Sequence, residues 1–422
     1  INKMGDLKHG LPASAYTSEE FFKKECETLF ANTWVFVGFT HEFIEPGDAR
    51  PITVAGQPVV LIKNNEGQIS AFHNVCSHRC LKLVDEPTNV GPMLSCPYHS
   101  WTYNLDGDLC ATPFFGGKVH QPDGFNMNEH GLKPVKIALW HDWIFINLSG
   151  QAPLFEDYAK PLIKNFDDIN FQQVKPVATL DFGEIATNWK FLMENFIEPY
   201  HVQFVHRTTT NQPLEDHYTL IDDVCVGSAI DLDDSDKVKG SLSVSSRYLT
   251  LFPNFIIGRY SPDQIGVYLN VPVDPGHTQQ KRVIYTTEGQ TLTKEEVDAM
   301  KKLWWDVHKE DHAICEKLVT EASEKPGLPP NELFWMGSEQ QPDYLGSKSL
   351  AEMAQEAGEN PAKTLVPGSK CMEMQKPGSA FSGSAFGEDS TKTLEVLESR
   401  GNAELPAANL RHVTVWIQMS LS

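Results

Sequence analysis

The chain has 422 residues and a formal net charge of −21, and its 41% hydrophobic and 22% charged residues are typical of a globular protein. Such strong acidity argues against a protein that coats nucleic acid or binds an anionic membrane. No stretch approaches the roughly 18 apolar residues of a membrane span, and residues 1–10 hold no apolar signal core, so we expect a cytoplasmic protein. The length predicts two or three domains.

The first half of the chain predicts one helix followed by a β-rich domain. Residues 17–33 have helical spacing, with Ser18 as the cap and two acids in the first turn. From residue 34 to residue 150, short apolar segments alternate with turn signals such as Pro46-Gly47-Asp48. We predict strands at 34–39, 52–54, 59–63 and 69–73, a strand pair within 101–109, and one strand at 139–148.

The second half mixes helices and strands, so the predicted fold class is α+β. We predict a helix at 188–200, antiparallel strands at 248–257 and 265–273, and a long helix at 294–322 capped by Thr293. Residues 337–403, rich in Gly, Ser, Pro and acids, predict a loose segment or an insertion, and 412–421 a terminal helix or strand. The expected division is a helical segment 1–33 that packs on the last domain, a β-rich domain 34–150 and a larger domain 151–422.

Eight cysteines in a chain without a signal sequence argue against a disulfide framework. Three of them, Cys76, Cys80 and Cys96, lie close together in the sequence among histidines. This clustering favours a metal site over disulfide bridges. We therefore expect none of the eight cysteines to need a bridge.

Two short segments each pair a cysteine with a histidine. They supply Cys76 with His78, and Cys96 with His99. A structural zinc site usually begins with two cysteines and closes with two histidines, whereas here each segment offers one sulfur and one nitrogen. Two such loops can hand both sulfurs to one iron and both nitrogens to the other, as in a Rieske 2Fe–2S centre. Zinc bound by the same four residues is the alternative.

A second candidate metal site lies near residue 200. Two histidines and one carboxylate form the facial triad of oxygen-activating ferrous enzymes. His201 and His206 are five residues apart, so on a regular helix they would point about 140° apart. They can share a metal only if the helix ends or bulges between them, which Pro199 makes plausible. A purely structural histidine pair is the alternative.

These motifs resemble those of Rieske non-heme iron oxygenase large (alpha) subunits, including the choline and carnitine monooxygenases. The resemblance rests on the segments 74–79, 96–101, 188–190 and 194–206, and it covers residues 30–320. It implies a β-rich Rieske 2Fe–2S domain and a helix-grip-type catalytic domain, in which helices flank an antiparallel sheet. It also implies that Cys76, His78, Cys96 and His99 bind the cluster.

The same resemblance implies a mononuclear Fe(2+) held by His201, His206 and a distant carboxylate. The segment 308–316 makes Asp311 the third ligand, with Asp306 as the runner-up. Glu310 and His312 are expected to be solvated or to lie beside the ligands.

The resemblance names Glu198 and Asn195 as candidate catalytic residues. Electrons would pass from His99 of one subunit through Glu198 to His201 of the next, which implies a homotrimer or a multiple of three. Most family members have Asp at position 198. The family usually has Gly at position 80, and we expect Cys80 to be a free, buried thiol.

The implied activity is hydroxylation of a small organic substrate with O2, by monooxygenation or dioxygenation. Because no nucleotide-binding fingerprint appears in the sequence, NAD(P)H would act indirectly, through a separate reductase or ferredoxin. A Rieske electron carrier without oxygenase activity and a zinc-stabilised scaffold are the alternatives from other classes.

The sequence leaves two classes of substrate open. Aromatic compounds and quaternary ammonium compounds are both candidates, and Glu198 favours the latter. Five aromatic residues could form a cage for a cation, although packing in the core is the simpler reading: Trp304, Trp305, Phe252, Phe255 and Tyr260. Arg259 could pair with a substrate carboxylate or make an ordinary salt bridge.

Overall fold

The computed structural model describes residues 13–118, 120–207, 209, 217–231, 246–261, 263–286 and 292–324. The predictions for 337–403 and 412–421 lie outside these residues. The described chain consists of antiparallel sheets and a few helices, which confirms the α+β class. None of its described helices is long and apolar enough to cross a membrane.

The N-terminal segment forms α1 (Ser14–Thr17) and α2 (Glu19–Lys24) and then winds into wider π-type turns over Glu25–Phe30. The Ser18 side chain accepts a hydrogen bond from the Phe21 N–H at 3.2 Å, which confirms the predicted cap. The helix continues as predicted, but its second half is wider than a regular α-helix.

Residues 35–147 form a seven-stranded antiparallel sheet and a small three-stranded sheet. The strands in chain order are β1 (Val35–Phe39), β2 (Asp48–Val54), β3 (Gln57–Lys63), β4 (Ile69–His73), β5 (Thr88–Asn89), β6 (Leu94–Ser95), β7 (Thr102–Tyr103), β8 (Leu109–Ala111), β9 (Pro134–Trp140) and β10 (Trp143–Asn147). The large sheet has the order β1-β10-β9-β4-β3-β2-β5, and β6-β7-β8 form the small one.

The prediction of one strand at 139–148 is wrong, because the chain turns between β9 and β10. His141 adopts a φ of 55°, and neither Gly nor Pro marks the turn in the sequence. The Asp142 carboxylate accepts hydrogen bonds from the Thr40 and Tyr285 hydroxyls, both at 2.7 Å. Long-range side-chain contacts therefore stabilise a turn that the local residue types do not predict.

The second seven-stranded sheet is also antiparallel and follows α3 (Phe155–Ile163). Its strands are β11 (Lys175–Ile185), β12 (His217–Asp222), β13 (Cys225–Ile230), β14 (Ser246–Leu251), β15 (Phe255–Ser261), β16 (Gln264–Asp274) and β17 (His277–Thr286), in the order β11-β17-β16-β15-β14-β13-β12. The strand predicted at 265–273 is confirmed. The one predicted at 248–257 is two strands, broken around Pro253, which cannot donate to a strand ladder.

Three helices pack near this sheet: α4 (Trp189–Ile197), α5 (Val202–Val205) and α6 (Lys294–Glu324). The Thr293 N–H donates to Glu296 Oε2 at 2.8 Å, and this capping box starts α6 where the sequence predicted it. Helix α6 contacts α1, α4 and β11. Helix α6 therefore packs against the N-terminal segment, α4 and the edge of the sheet.

A buried ion pair fixes the N-terminal segment to α4. Lys190 Nζ lies 2.9 and 3.1 Å from the two carboxylate oxygens of Glu25, and both side chains are fully buried. Burial lowers the pKa of Lys190, and the Glu25 charge opposes that effect. The Tyr16 ring stacks on Phe191 with a centroid separation of 4.2 Å. Segment 13–33, which we call the N-terminal clamp, is thus fixed to α4, the helix that leads to the candidate metal site.

We predict that Lys190→Met lowers the free energy of unfolding by about 3–5 kcal/mol, because it deprives buried Glu25 of its ammonium partner. Urea unfolding of the purified protein measures this change. The double variant Glu25→Leu with Lys190→Met serves as the control and recovers most of the loss. A single variant as stable as the parent would contradict the clamp.

Candidate metal centres

The loops 76–81 and 96–101 share one backbone conformation. In each loop the first N–H donates to the last carbonyl at 2.8 Å, and the fifth N–H donates to the first carbonyl at 2.9 Å. The fifth residues, Cys80 and Ser100, have φ values of 59° and 56°. This left-handed conformation favours glycine, which explains why Gly is usual at position 80 in the resembling family. The two loops are therefore structural repeats of each other.

These loops bring the four predicted cluster residues together. Cys76 and Cys96 are buried in the same hydrophobic cluster. The rings of His78 and His99 are 4.6 Å apart. His78 Nδ1 is buried without a hydrogen-bond partner. Burial, His99 and Arg79 all lower the pKa of His78. Paired sulfurs and paired imidazoles are the donor set that a Rieske 2Fe–2S cluster needs.

Tyr103 is a contact that the sequence analysis missed. Its hydroxyl accepts the Ser77 N–H at 3.0 Å and lies 3.3 Å from Cys76 Sγ, so its own proton is free to point at that sulfur. In the sequence, this residue is only part of the predicted strand pair within 101–109.

The expectation for Cys80 is wrong. The residue is buried as predicted, but it is disulfide-bonded rather than free. Six other cysteines are free thiols in the described part of the chain: Cys26, Cys76, Cys96, Cys110, Cys225 and Cys315.

At the second site, the chain breaks its helix before the histidines. Helix α4 ends at Ile197, and Glu198 is extended with φ −108° and ψ 134°, as Pro199 requires. The chain then forms the single turn of α5, with His201 at its start and His206 at its end. The helix is interrupted at Glu198, before both histidines, and α5 then ends at Val205, so the predicted helix end between His201 and His206 is confirmed.

Helix α6 brings Asp311 to this pair of histidines. Asp311 Oδ1 lies 3.6 Å from His201 Nε2 and 3.0 Å from His206 Nε2. One ligand atom from each of the three residues lies within 4.8 Å of the others. Asp306 instead pairs with Lys302 on the surface of α6. The structure therefore gathers the predicted triad and leaves the runner-up outside it.

Two further carboxylates orient the histidine rings. His201 Nδ1 lies 2.6 Å from Glu198 Oε1, and His206 Nδ1 lies 2.8 Å from Glu310 Oε2. Because a carboxylate only accepts, each Nδ1 carries a proton, and Nε2 of each ring faces Asp311 and is the atom left to bind a metal. This carboxylate–histidine arrangement is typical of metal ligands.

The protonation of His206 reflects competing effects. Burial would lower its pKa, but hydrogen bonds and charges from Asp311 and Glu310 outweigh burial and raise it. Oδ1 of Asp311 is itself buried, and among the described residues its polar contacts are the two histidine Nε2 atoms. A divalent cation would satisfy this acidic pocket, so the residues fit a mononuclear iron.

The remaining candidates lie in different surroundings. Asn195 is partly buried on α4, one turn before Glu198. His312 Nε2 lies 2.6 Å from Gln280 Oε1. Arg259 pairs with Asp168 at 2.5 Å, which is the ordinary salt bridge.

The five proposed cage residues do not surround one space. Phe252 and Phe255 are buried in the core, where the Phe255 ring meets Phe36 at 4.9 Å. Trp305 stacks on Phe182 at 5.0 Å. Trp304 and Tyr260 pack instead around the guanidinium group of Arg282, a residue that the sequence analysis missed.

Both the region of the cluster loops and the region of the triad match families of known proteins. Residues 33–121 match the Rieske [2Fe-2S] domain, and residues 170–341 match the catalytic domain of the ring hydroxylating alpha subunit. The glycine betaine monooxygenase oxygenase subunit of Chromohalobacter salexigens is 34% identical over 213 residues, covering 50% of this chain and 46% of that protein. The large oxygenase component of salicylate 5-hydroxylase from a Ralstonia species is 33% identical over 211 residues, covering 48% and 50%.

This chain thus spans about half the length of these curated relatives. A crystal structure of a quaternary ammonium Rieske monooxygenase superposes with a TM-score of 0.65 at 23% identity, covering 75% of this chain and 86% of the other. At that identity the likeness concerns the fold alone.

We predict that Glu310→Gln weakens ferrous iron binding by about 10- to 100-fold, because His206 loses the carboxylate that orients its ring. Titration of the iron-free protein with Fe(2+) under anaerobic conditions measures the change. Glu316→Gln, on the exposed face of the same helix, is the matched control and binds like the parent. Unchanged affinity in Glu310→Gln would exclude a role for this carboxylate at the metal.

Proposed function

Because the chain joins a Rieske [2Fe-2S] domain to a ring hydroxylating catalytic domain and so belongs to the Rieske oxygenase alpha subunits, we propose that it hydroxylates a small organic substrate with O2. The observation that carries the proposal is the convergence of His201, His206 and Asp311 in the chain that also holds the two cluster loops. An electron carrier alone would need no such triad.

We assign the ligands as the geometry suggests. Cys76, His78, Cys96 and His99 would hold the cluster, and the His201–His206–Asp311 triad would hold the iron. When bound, the cluster supplies single electrons, and the iron supplies an open coordination position for O2. The chain would be organised as an N-terminal clamp, a Rieske domain to about residue 150 and a catalytic domain beyond it.

Residues around the metals have supporting roles in this proposal. Glu198 and Glu310 accept hydrogen bonds from Nδ1 of the two imidazoles and orient Nε2 of each ring toward Asp311. The Tyr103 hydroxyl donates to Cys76 Sγ, and a hydrogen bond to a ligand sulfur raises the reduction potential of a cluster. Asn195 lies on α4, three residues before Glu198, and would help to position that residue.

The path between the two metals is proposed to cross a subunit boundary. His99 is exposed at the tip of its loop, next to Tyr98, whose ring lies 3.7 Å away. Glu198 is only partly buried while it holds His201. An exposed cluster histidine and a reachable carboxylate support electron transfer from one subunit to the next within a homotrimer. Electrons would come from NAD(P)H through a separate reductase or ferredoxin.

For the substrate, we propose monooxygenation of a quaternary ammonium compound or of an aromatic acid. The relatives described above are named for glycine betaine and for salicylate. Both compounds carry a carboxylate, whereas one is a trimethylammonium zwitterion and the other an aromatic ring. Cis-dihydroxylation of an aromatic ring is the alternative reaction.

We predict that His201→Ala removes the mononuclear iron and abolishes oxygenase activity, while the visible absorbance of the cluster remains. Iron analysis and oxygen uptake with a surrogate reductase measure the two effects. His277→Ala, which changes a half-exposed histidine on β17, is the control and keeps both properties. Retained activity in His201→Ala would show that the iron lies elsewhere.

We predict that Glu198→Gln keeps both metals but slows electron arrival at the iron by at least about tenfold, because the link at His201 Nδ1 loses its charge. Single-turnover measurements on the reduced protein report this rate. Glu198→Asp, the residue usual in the family, is the conservative variant and restores transfer. An unchanged rate in Glu198→Gln would rule out the carboxylate path.

A further inference from the structure

Arg282 is a fully buried cation on β17, on the face of the sheet that lies under α6. Its guanidinium carbon lies 3.6 Å from the ring centroid of Trp304 and 4.8 Å from the centroids of both Tyr260 and Tyr268. Three aromatic rings therefore surround a charge that belongs to the protein itself. This arrangement occupies the faces of Trp304 and Tyr260 that could otherwise bind a quaternary ammonium group.

Only one of the three guanidinium nitrogens has hydrogen-bond partners. Nη1 donates to the Tyr268 hydroxyl at 2.7 Å and to His308 Nε2 at 3.1 Å. Burial first, and then the Arg282 charge, hold the pKa of His308 well below its usual value, so its imidazole is neutral and accepts this bond. Nε and Nη2 are buried and have no partner among the described residues.

The two unpartnered nitrogens share one edge of the guanidinium plane. An Arg edge with two parallel N–H donors matches the two oxygens of a carboxylate and binds them bidentately. Cation–π contacts supply about 2 kcal/mol to a desolvated cation, which is less than the several kcal/mol that burying a charge costs. A buried guanidinium edge with no acceptor among the described residues is therefore an anion-binding site that needs an oxygen ligand from another molecule.

The backbone around Arg282 is built to admit the guanidinium. A Cβ at Gly266 would lie 2.6 Å from Nη2, so only glycine leaves room for the group at this position. Gly258 faces Gly266 across the β15–β16 pair, and a Cβ there would lie 2.6 Å from the Tyr260 ring. The two facing glycines thus leave room on the sheet for the Arg282 guanidinium group and the Tyr260 ring.

Arg282 contacts the elements that carry the candidate metal ligands. Its Nη1 donates to His308, which stands one helical turn before Asp311 on α6. Nη1 also donates to Tyr268, whose ring meets Phe196 at 5.3 Å, and Phe196 lies two residues before Glu198. The guanidinium group on β17 is therefore linked to α6 and to α4.

We propose that Arg282 binds the carboxylate of the substrate through Nε and Nη2, and that the enzyme selects small carboxylate-bearing substrates over their alcohol counterparts. This inference rests on the proposed oxygenase function and narrows its substrate class. Glycine betaine and salicylate meet the requirement, whereas choline and salicyl alcohol do not. Arg259, the arginine first considered for this role, is already paired with Asp168.

The test compares binding of two matched pairs of probes to the holoenzyme: glycine betaine with choline, and salicylate with salicyl alcohol. Isothermal calorimetry gives the affinities, and the fluorescence of Trp304, which stacks on the guanidinium, gives a second readout. We expect the parent to bind at least one carboxylate at least tenfold more tightly than its alcohol. Arg282→Met should weaken that binding by about 10- to 100-fold, the usual loss for hydrogen bonds to a charged group.

Two further variants separate a lost anchor from a lost fold. Arg259→Met, on the neighbouring part of the sheet, should bind the probes like the parent. Arg282→Lys keeps the charge without the guanidinium edge and should show an intermediate loss. The visible absorbance of the cluster reports whether each variant is folded, and Arg282→Lys carries the test if Arg282→Met is not.

The outcomes also separate this inference from the proposed function. Carboxylate binding that depends on Arg282 supports the anchor even if none of the probes stimulates oxygen uptake, a result that would count against the oxygenase function alone. Oxygen uptake with choline or salicyl alcohol that is as fast as with the carboxylates, and unchanged in the Arg282 variants, would overturn the anchor and leave the oxygenase intact. A parent protein that binds neither carboxylate would also overturn it.

Discussion

Helix α4 ends at Glu198, and the arrangement of the iron-binding residues depends on that ending. Pro199 excludes the helical conformation at residue 198, which is extended in the structure. A continuous helix would point His201 and His206 about 140° apart. The extended Glu198 lets its carboxylate reach His201 Nδ1, and α5 ends at Val205, so His206 leaves the helix with φ −96° and ψ 40° and both imidazoles face Asp311. The break at Glu198 and the end of α5 therefore set the candidate ligands and the group that orients one of them.

The opposite wall of the site comes from α6. Asp311 faces both histidines, Glu310 holds the His206 ring, and His308 contacts Arg282. Residues three apart on a helix lie on the same side, so Asp311 and His308 present one wall. A shift of this helix would move the candidate iron ligand Asp311 together with His308 and Trp304, which contact the Arg282 guanidinium group. The candidate metal site and the proposed anion site are in this way coupled through one helix.

The features that could be predicted depend on neighbours in the sequence. The cysteine–histidine spacing of the cluster loops and the break at Pro199 are both local, whereas Asp311 was found only through a family resemblance. The turn at His141 was missed because distant side chains hold it. Arg282 was missed because its aromatic and histidine neighbours come from other strands and from α6. Arg282 stands out as a candidate binding residue only because it is buried, and no local sequence pattern shows that burial.

The side chain of Asn254 has a mechanical consequence. Its amide accepts the Phe36 N–H and donates to the Phe36 carbonyl, both at 2.9 Å, and so completes the open edge of β1 as a neighbouring strand would. The same amide donates to the Asn270 carbonyl in β16. The two large sheets are therefore joined by directional hydrogen bonds in a buried region, and these bonds oppose sliding of one sheet over the other. Within one chain, they restrain the separation between the cluster loops and the candidate iron triad.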